Sequence, residues 1–214
     1  MAVTIIKDKE PIYDTDQYDV ILVGVSTHNR LMGNFQCKIG IKYPIVQTTY
    51  EKTPYGDLRK LGKRLTFDDL SPTISLMFVC KYPTRKDNFI DYEALENCLR
   101  TANAEFKGKR VLTTIVGSTK FDGRGDKEKC LNLLKDCCQD VDLYVYDYKQ
   151  ISIVEEFKRQ TKYFKDLKTK YKDDKEMLKK IGELSSEMKT KCFLPQKYYI
   201  HHWRQKGEDD ILNI

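Results

Sequence analysis

The apolar run Thr73–Cys80 constrains the fold more than any other stretch of the sequence. Its residues, TISLMFVC, are almost all apolar, which is typical of a strand whose sheet is covered on both faces. Shorter apolar runs bounded by turn residues occupy Val3–Ile6, Val20–Val23, Arg110–Val116 and Leu143–Tyr148. A strand that is buried on both faces needs helices above and below it, so these runs predict the centre of an α/β sandwich.

Helical patterns separate these predicted strands. One helix is expected to start at Gly33–Asn34 and to end before Pro44, and another is capped by Asp91 and stopped by Gly108. Apolar residues at helical spacing follow Asp91 and recur after residue 126, namely Tyr92, Leu95, Leu99, Ala102, Leu131, Leu134 and Cys138. The order β-α-β-α-β-α-β therefore predicts an α/β sandwich with a largely parallel sheet.

The stretch between residues 45 and 72 is less regular. Ile45–Val46 is compatible with a strand fragment, and Thr53–Gly56 has the composition of a turn. Leu58, Leu61 and Leu65 lie at i, i+3 and i+7, which favours a short helix or an irregular packed segment.

The composition changes at Ile151, where glycine and proline almost disappear and lysine and acidic residues dominate. We predict a domain over residues 1–150 and a charged helical extension with an aromatic tail over residues 151–214. The extension should form two helices, arranged either as a hairpin or as one long bent helix, and Asp173–Asp174 is the candidate cap of the second. Such helices are usually solvated on one face and docked on the other, so residues 151–191 either pack on their own domain or bind a protein partner.

Composition and charge restrict the class of protein. Lysine and arginine number 38 against 32 acidic residues, but the two kinds are interleaved, which is weaker than the basic stripe of a dedicated nucleic-acid binder. The 7 cysteines include no CxxC pair or zinc spacing and are expected to be reduced thiols. No stretch approaches the ~20 apolar residues of a membrane span, and no secretory signal is apparent, so we expect a cytoplasmic protein (in the host cytoplasm if viral) without a membrane partner.

Three polar loops leave the predicted carboxyl ends of strands, at Gly24–Gly33, Lys81–Asp91 and Gly117–Asp126. In an open parallel sheet such ends meet at one edge, where ligands bind, so the three loops predict a single site. The third loop contains three glycines, whose backbone can approach a phosphate closely, but no Walker sequence. The helix start at Gly33–Asn34 is either an anion site or an ordinary connection between strand and helix.

The order of these motifs resembles the macrodomain family, the ADP-ribose-binding fold, over residues 3–148. The matching branch is the one with a catalytic lysine, typified by the terminal ADP-ribose protein glycohydrolase. The motifs that carry the resemblance are Val25–Ser26 with Met32–Gly33, Leu76–Val79 running into Lys81 with Asp91–Leu95 behind it, Val116–Gly117 with Asp122, and Leu143–Tyr146.

The resemblance implies a three-layer α/β/α sandwich with a mostly parallel mixed sheet, followed here by C-terminal helices. It implies that Lys81 attacks the distal ribose C1″, that Asp122 acts as acid and base, and that neither a cofactor nor a metal is needed. Asp8 would hold the adenine amino group and Phe121 would shield the distal ribose. The remaining implied ligand contacts are Val25, Ser26, Thr27, Met32, Gly33, Asn34, Gly117, Ser118, Thr119 and Lys120.

The implied function is hydrolysis of an ADP-ribosyl linkage on a protein or a nucleic acid. Alternatives are a binding module that does not hydrolyse, a phosphatase acting on ADP-ribose-1″-phosphate, and an interaction protein. Lys81 is alternatively a solvent-facing lysine at a strand end, without a catalytic role. Lys86 is a second candidate for the nucleophile. Asn34–Phe35 follow Gly33 directly, which leaves the first loop fewer flexible backbone donors than is usual in the family and allows a related ligand.

Overall fold

Strands and helices alternate along most of the chain. The computed structural model describes residues 3–7, 15–29, 31, 34–81, 90–117, 125–147 and 153–187. The chain divides into two units, Met1–Tyr148 and Lys149–Ile214. The first unit contains β1 (Val3–Ile6), β2 (Val20–Ser26), α1 (Asn34–Lys42), α2 (Pro44–Glu51), β3 (Arg64–Phe67), β4 (Thr73–Cys80), α3 (Tyr92–Glu105), β5 (Arg110–Thr114), α4 (Lys127–Cys137) and β6 (Asp142–Tyr146).

The strands of the first unit form one mixed sheet in the order β1-β6-β5-β2-β4-β3. All neighbouring pairs run parallel except β3, which pairs antiparallel with β4 at one edge. The predicted α/β sandwich with a mostly parallel mixed sheet is confirmed.

Alternate residues of the central strands build two separate cores, one on each face of the sheet. In β2, Val20 and Leu22 pack in the core that contains the buried faces of α3 and α4. Ile21, Val23 and Val25 pack in the other core, with Ile39 of α1 and with Val46 and Tyr50 of α2. Because side chains alternate across a strand, this division places helices on both faces and gives three layers.

The predicted strand fragment at Ile45–Val46 is wrong, because both residues lie in α2. Pro44 occupies the first turn of this helix, where its missing N–H costs no hydrogen bond. Val46 and Tyr50, four residues apart, are buried on one side of the helix. The proline therefore starts a second helix rather than only ending the first.

The apolar spacing of Leu58, Leu61 and Leu65 does not form a continuous helix. Leu58–Lys60 is a single short 3-10 turn, and Leu65 belongs to the antiparallel edge strand β3. Most of β3 is only half-buried, so it lacks the apolar signature of the central strands.

Predicted helix ends are confirmed where a side chain caps them. The Asp91 Oδ1 atom accepts a hydrogen bond from the backbone N–H of Ala94 at 3.0 Å and starts α3. Asp126 starts α4 in the same way, accepting from the N–H of Lys129 at 2.8 Å. Carboxylates at these positions satisfy free N–H groups and complement the helix dipole.

The second unit contains two helices, α5 (Ile153–Lys170) and α6 (Lys175–Glu187). Asp174 caps α6 by accepting from the N–H of Met177 at 2.9 Å, as predicted for the pair Asp173–Asp174. The predicted aromatic tail lies outside the described residues. Of the helices in the described ranges, none is long and apolar enough to span a bilayer.

Candidate functional site

The strands β5, β2 and β4 are neighbours in the sheet and run parallel. They end at Thr114, Ser26 and Cys80, so their carboxyl ends lie at one edge of the sheet. The three polar loops predicted to build a site all start from this edge. An arrangement of this kind is the usual place for a ligand in an open parallel sheet.

The first loop begins with an irregularity in the pairing of β2 with β4. Val25 pairs with Phe78, but Ser26 pairs with Cys80, so one residue of β4 is skipped. The N–H of Thr27 then donates to the carbonyl of Cys80 at 3.0 Å. Bulges of this kind redirect a strand end and are common next to binding sites. Here the bulge keeps the first loop against the start of the second.

Ser26 is held in a tight local turn. Its hydroxyl oxygen accepts from the N–H of His28 at 3.2 Å, and its carbonyl accepts from the Tyr50 hydroxyl at 2.7 Å. The neighbouring Thr27 is fully buried, and its hydroxyl lies 3.1 Å from Nδ1 of His28. These bonds tie the loop to α2.

A buried lysine, Lys60, anchors the same loop through hydrogen bonds from its ammonium group. Its ammonium group donates to the Thr27 carbonyl at 2.7 Å, to Asn29 Oδ1 at 2.5 Å and to the Thr53 hydroxyl at 3.1 Å. It also lies 5.0 Å from the centre of the Phe78 ring. Three donors meet three acceptors, which is how a protein tolerates a lysine that is only 9% exposed. Burial lowers the pKa of Lys60, and the nearby Asp57 charge opposes that shift.

Asn29 and His28 serve this anchor as well. Asn29 has a left-handed backbone with φ of 56°, and its side-chain amide donates to the carbonyl of Thr53. The His28 ring packs edge-on against Tyr55, with 4.7 Å between ring centres. Burial, and then the charge of Lys60, lower the pKa of His28. Both residues therefore hold the first loop to the segment that follows α2.

The second loop leaves β4 at Lys81. Its Nζ atom forms an ion pair with Asp91 Oδ2 at 2.8 Å, and 53% of the Lys81 side chain is exposed. The hydrogen bond from Lys81 is the main cause of a lowered Asp91 pKa, with the Ala94 N–H and the Lys81 charge acting in the same direction. Lys81 thus lies at the sheet edge as predicted, with its amine paired to a carboxylate.

The third loop is closed at its base. The N–H of Gly125 donates to the carbonyl of Gly117 at 2.7 Å. Gly117 has a left-handed φ of +75°, and a Cβ atom there would lie 2.0 Å from Cδ1 of Ile90. Only glycine suits such a position, because it lacks the clashing atom. Gly117 and Gly125, two of the three glycines predicted to approach a phosphate, thus bring the two ends of the loop together against Ile90.

Aromatic and charged contacts hold the helix that follows the third loop. The N–H of Asp126 donates to the Tyr92 hydroxyl at 2.8 Å, which joins the starts of α3 and α4. The ammonium group of Lys129 lies 3.9 Å from the centre of the Tyr92 ring. The start of α4 is therefore fixed relative to the second loop.

Several of the predicted site residues are described. Val25 is buried in the core, Ser26 and Thr27 form the turn of the first loop, and Asn34 begins α1. Gly117 and Lys81 lie at the same sheet edge. The others lie outside the described residues and stay predictions: Asp8, Met32, Gly33, Ser118, Thr119, Lys120, Phe121 and Asp122.

Lys60 is the site residue that sequence reasoning missed. It follows Arg59 and precedes Lys63, and no periodic pattern distinguishes it from these exposed neighbours. Its burial depends on the bulge in β2 and on the turn at Asn29. Only the tertiary structure brings the bulge and the turn together around Lys60.

Within the described ranges, no group of three His, Cys, Asp or Glu side chains is arranged to hold a metal ion.

No protein-family model matches the sequence, and no curated protein matches it. Solved structures do. The macrodomain of Mycobacterium tuberculosis DarG superposes with a TM-score of 0.53 at 18% identity, covering 69% of this chain and 99% of its own. The macrodomain of Thermus aquaticus DarG gives 0.51 at 10% identity, covering 70% and 100%.

A third similar structure is Thermosipho africanus DarTG in complex with ADP-ribose. It superposes with a TM-score of 0.53 at 12% identity, covering 71% of this chain and 44% of its own. Identities this low are informative about the fold alone. The chain therefore contains a domain with the macrodomain fold.

Proposed function

We propose that this protein binds ADP-ribose, free or attached to a protein or nucleic acid, at the carboxyl edge of β5, β2 and β4, and hydrolyses the ADP-ribosyl linkage. The observation that carries the proposal is that three polar loops start from this edge in a macrodomain fold. The similar DarTG structure holds ADP-ribose, which supports the choice of ligand.

The first and third loops suit a diphosphate. The hydrogen bond between Gly125 and Gly117 brings the two ends of the third loop together. The start of α1 lies directly after the first loop and can supply backbone N–H groups. The first loop is anchored by Lys60, so little backbone needs to be ordered when a ligand binds.

Lys81 is the proposed nucleophile and Asp122 the proposed acid and base. The Nζ lone pair would attack C1″ of the distal ribose while the bond from C1″ to the modified side chain or base breaks. The departing atom takes that electron pair and a proton from Asp122. Asp122 would then deprotonate the water that releases ADP-ribose from Lys81.

A binding module that does not hydrolyse is the second candidate, and one observation favours it. The Lys81 side chain is half-exposed, and its amine is already paired with the Asp91 carboxylate. In that case the loops would recognise ADP-ribose and Lys81 would contribute only its charge.

Calorimetric titration with ADP-ribose and a hydrolysis assay separate these candidates. The assay would use a protein carrying ADP-ribose on carboxylate side chains and an oligonucleotide carrying it on a base, with released ADP-ribose measured by mass spectrometry. We expect wild type to bind and release ADP-ribose, and Lys81→Ala to bind it but to release it only at a small residual rate. Lys109→Ala, an exposed lysine at the opposite edge of the sheet, is the matched control and should behave as wild type.

Binding without release by wild type would replace the hydrolase with the binding module. Full release by Lys81→Ala would exclude the lysine mechanism. Absence of ADP-ribose binding would overturn both candidates.

A further inference from the structure

The carboxylate of Asp91 has two partners at once. Oδ1 accepts from the N–H of Ala94 at 3.0 Å and caps α3, while Oδ2 pairs with Lys81 Nζ at 2.8 Å. The Asp91 side chain is 22% exposed, against 53% for Lys81. Asp91, the more buried member of the ion pair, is therefore the one that is fixed by the start of a helix.

The backbone of Asp91 is fixed relative to β4 as well. Its N–H donates to the carbonyl of Val79 at 2.8 Å, and its own carbonyl accepts from the N–H of Leu95 at 2.9 Å. Cys80 and Ile90 form an antiparallel bridge beside it. Asp91 is thus bound both to the end of β4 and to the start of α3, and Lys81 follows Cys80 directly.

This arrangement changes what an ion pair at the surface can do. An exposed pair is usually weak, because two mobile side chains must both be ordered to form it. Here the cap and the backbone bonds have already ordered the carboxylate, so only the lysine side chain loses freedom. The pair can therefore hold Nζ of Lys81 at a defined place on the ligand edge.

We propose that Asp91 is a positioning residue for Lys81: its carboxylate, held by the start of α3, fixes Nζ at the carboxyl end of β4 where the ligand loops meet. This inference rests on the proposed function in taking Lys81 as the reacting group. Asp91 itself need not contact the ligand, since it acts through Lys81.

The cap and the ion pair can be separated by substitution. Asparagine caps helices about as well as aspartate and keeps an oxygen at the Oδ1 position, but it carries no charge for Lys81. Asp91→Asn therefore removes the pair and retains the cap. Asp19→Asn is the matched control, because Asp19 also combines a backbone bond and an ion pair, both to Arg110, at the opposite edge of the sheet.

We expect Asp91→Asn to bind ADP-ribose as wild type does, to lose no more than about 3 °C in melting temperature, and to release ADP-ribose roughly tenfold more slowly. Asp19→Asn should release it at the wild-type rate. In the Lys81→Ala background, adding Asp91→Asn should change the residual rate no further, since a residue that acts through Lys81 has no effect without it. A wild-type rate in Asp91→Asn, or an equal loss in the Lys81→Ala background, would overturn the proposal.

A chemical readout keeps the inference separate from the hydrolase. Acylation of lysines by an N-hydroxysuccinimide ester, followed by peptide mass spectrometry, reports how free each amine is. Asp91→Asn should raise the acylation rate of Lys81 several-fold and leave that of Lys127, which pairs with Asp147 and is similarly exposed, unchanged. An unchanged Lys81 rate would overturn the inference even if the enzyme is active. A raised rate in a protein without hydrolase activity would retain Asp91 as the residue that places Lys81 and would reject only the catalysis.

Discussion

Lys60 and Lys81 lie at the same edge of the sheet and are held in opposite ways. Lys60 is 9% exposed and donates to three acceptors, whereas Lys81 is half-exposed and pairs with one carboxylate. Burial lowers the pKa of Lys60, a shift often taken as the mark of a reactive lysine. Its amine is nevertheless fully occupied beneath the first loop. The comparison shows that the buried Lys60, despite its lowered pKa, serves the structure, and it leaves the half-exposed Lys81 as the lysine that we propose reacts with a ligand.

The surroundings of the two lysines also differ. Around Lys60, hydrogen bonds hold the first loop to the segment after α2. Around Lys81, the structure is held by close apolar packing, with Ile90 against Gly117 and Gly125. Substitutions should therefore affect stability most strongly through Lys60 and affect ligand chemistry most strongly through Lys81.

The largest effect on stability is expected from Lys60→Met. Methionine keeps the apolar stem but leaves Asn29 Oδ1 and the Thr53 hydroxyl without the ammonium donor, which should cost about 2–4 kcal/mol. Urea unfolding measures this loss. The exposed neighbour Lys63 provides the control, since Lys63→Met should change stability by less than about 0.5 kcal/mol. Similar values for the two variants would refute the anchoring role of Lys60.

Gly117→Ala should have the next largest effect. Alanine at a left-handed φ costs about 1 kcal/mol, and the contact with Ile90 should add about 1–3 kcal/mol of overpacking. Gly108→Ala isolates the first contribution, because Gly108 has the same φ of +75° with nothing within 4 Å of the added Cβ. Chemical unfolding of both variants gives the difference. Equal losses would mean that Ile90 moves aside freely and that the base of the third loop is not tightly fitted.

A smaller effect is expected from Asp126→Ala, which removes the cap of α4 and should cost about 1 kcal/mol. Asp126→Asn should retain most of that stability, because the amide oxygen can accept the same bond. Thermal unfolding of the alanine and asparagine variants distinguishes loss of the capping hydrogen bond from loss of the negative charge. A loss in the asparagine variant as large as in the alanine variant would assign the stabilisation to the charge.

The smallest effect concerns pH. The Asp91 pKa is lowered from 3.8, so the Lys81–Asp91 pair stabilises the folded protein above pH 3.8, and this contribution is lost as the pH falls through the lower folded-state value. The stability difference between wild type and Asp91→Asn should therefore be complete at pH 6, at no more than about 1 kcal/mol, and shrink below pH 3.8. Urea unfolding at several pH values measures it. A difference that stays constant with pH would show that the pair does not form in solution.

Local signals in the sequence predicted much of the fold. The bounds of β1 and β4 and the start of α1 are as expected, because short apolar runs and turn residues mark them directly. The predicted cap Asp91 is also local, since it bonds an N–H three residues along the chain. That the three loops start from one edge followed from the parallel order of the strands.

The features that were missed depend on contacts between distant parts of the chain. The edge strand β3 is recognisable only by its pairing with β4, and its half-buried residues have no strand pattern. Lys60 becomes buried only when the folded chain packs Thr27 and Asn29 against it. In the sequence these two residues precede Lys60 by more than thirty positions. The ion pair of Lys81 with Asp91 likewise requires both ends of the second loop to meet.

Hydrogen–deuterium exchange of the full chain with and without ADP-ribose tests the central claim most directly. If the carboxyl edge of β5, β2 and β4 is the binding site, ADP-ribose should slow exchange in peptides covering residues 26–33 and 117–126. AMP, which lacks the distal ribose, should protect these peptides less. Unchanged exchange in both loops at saturating ADP-ribose would contradict the account.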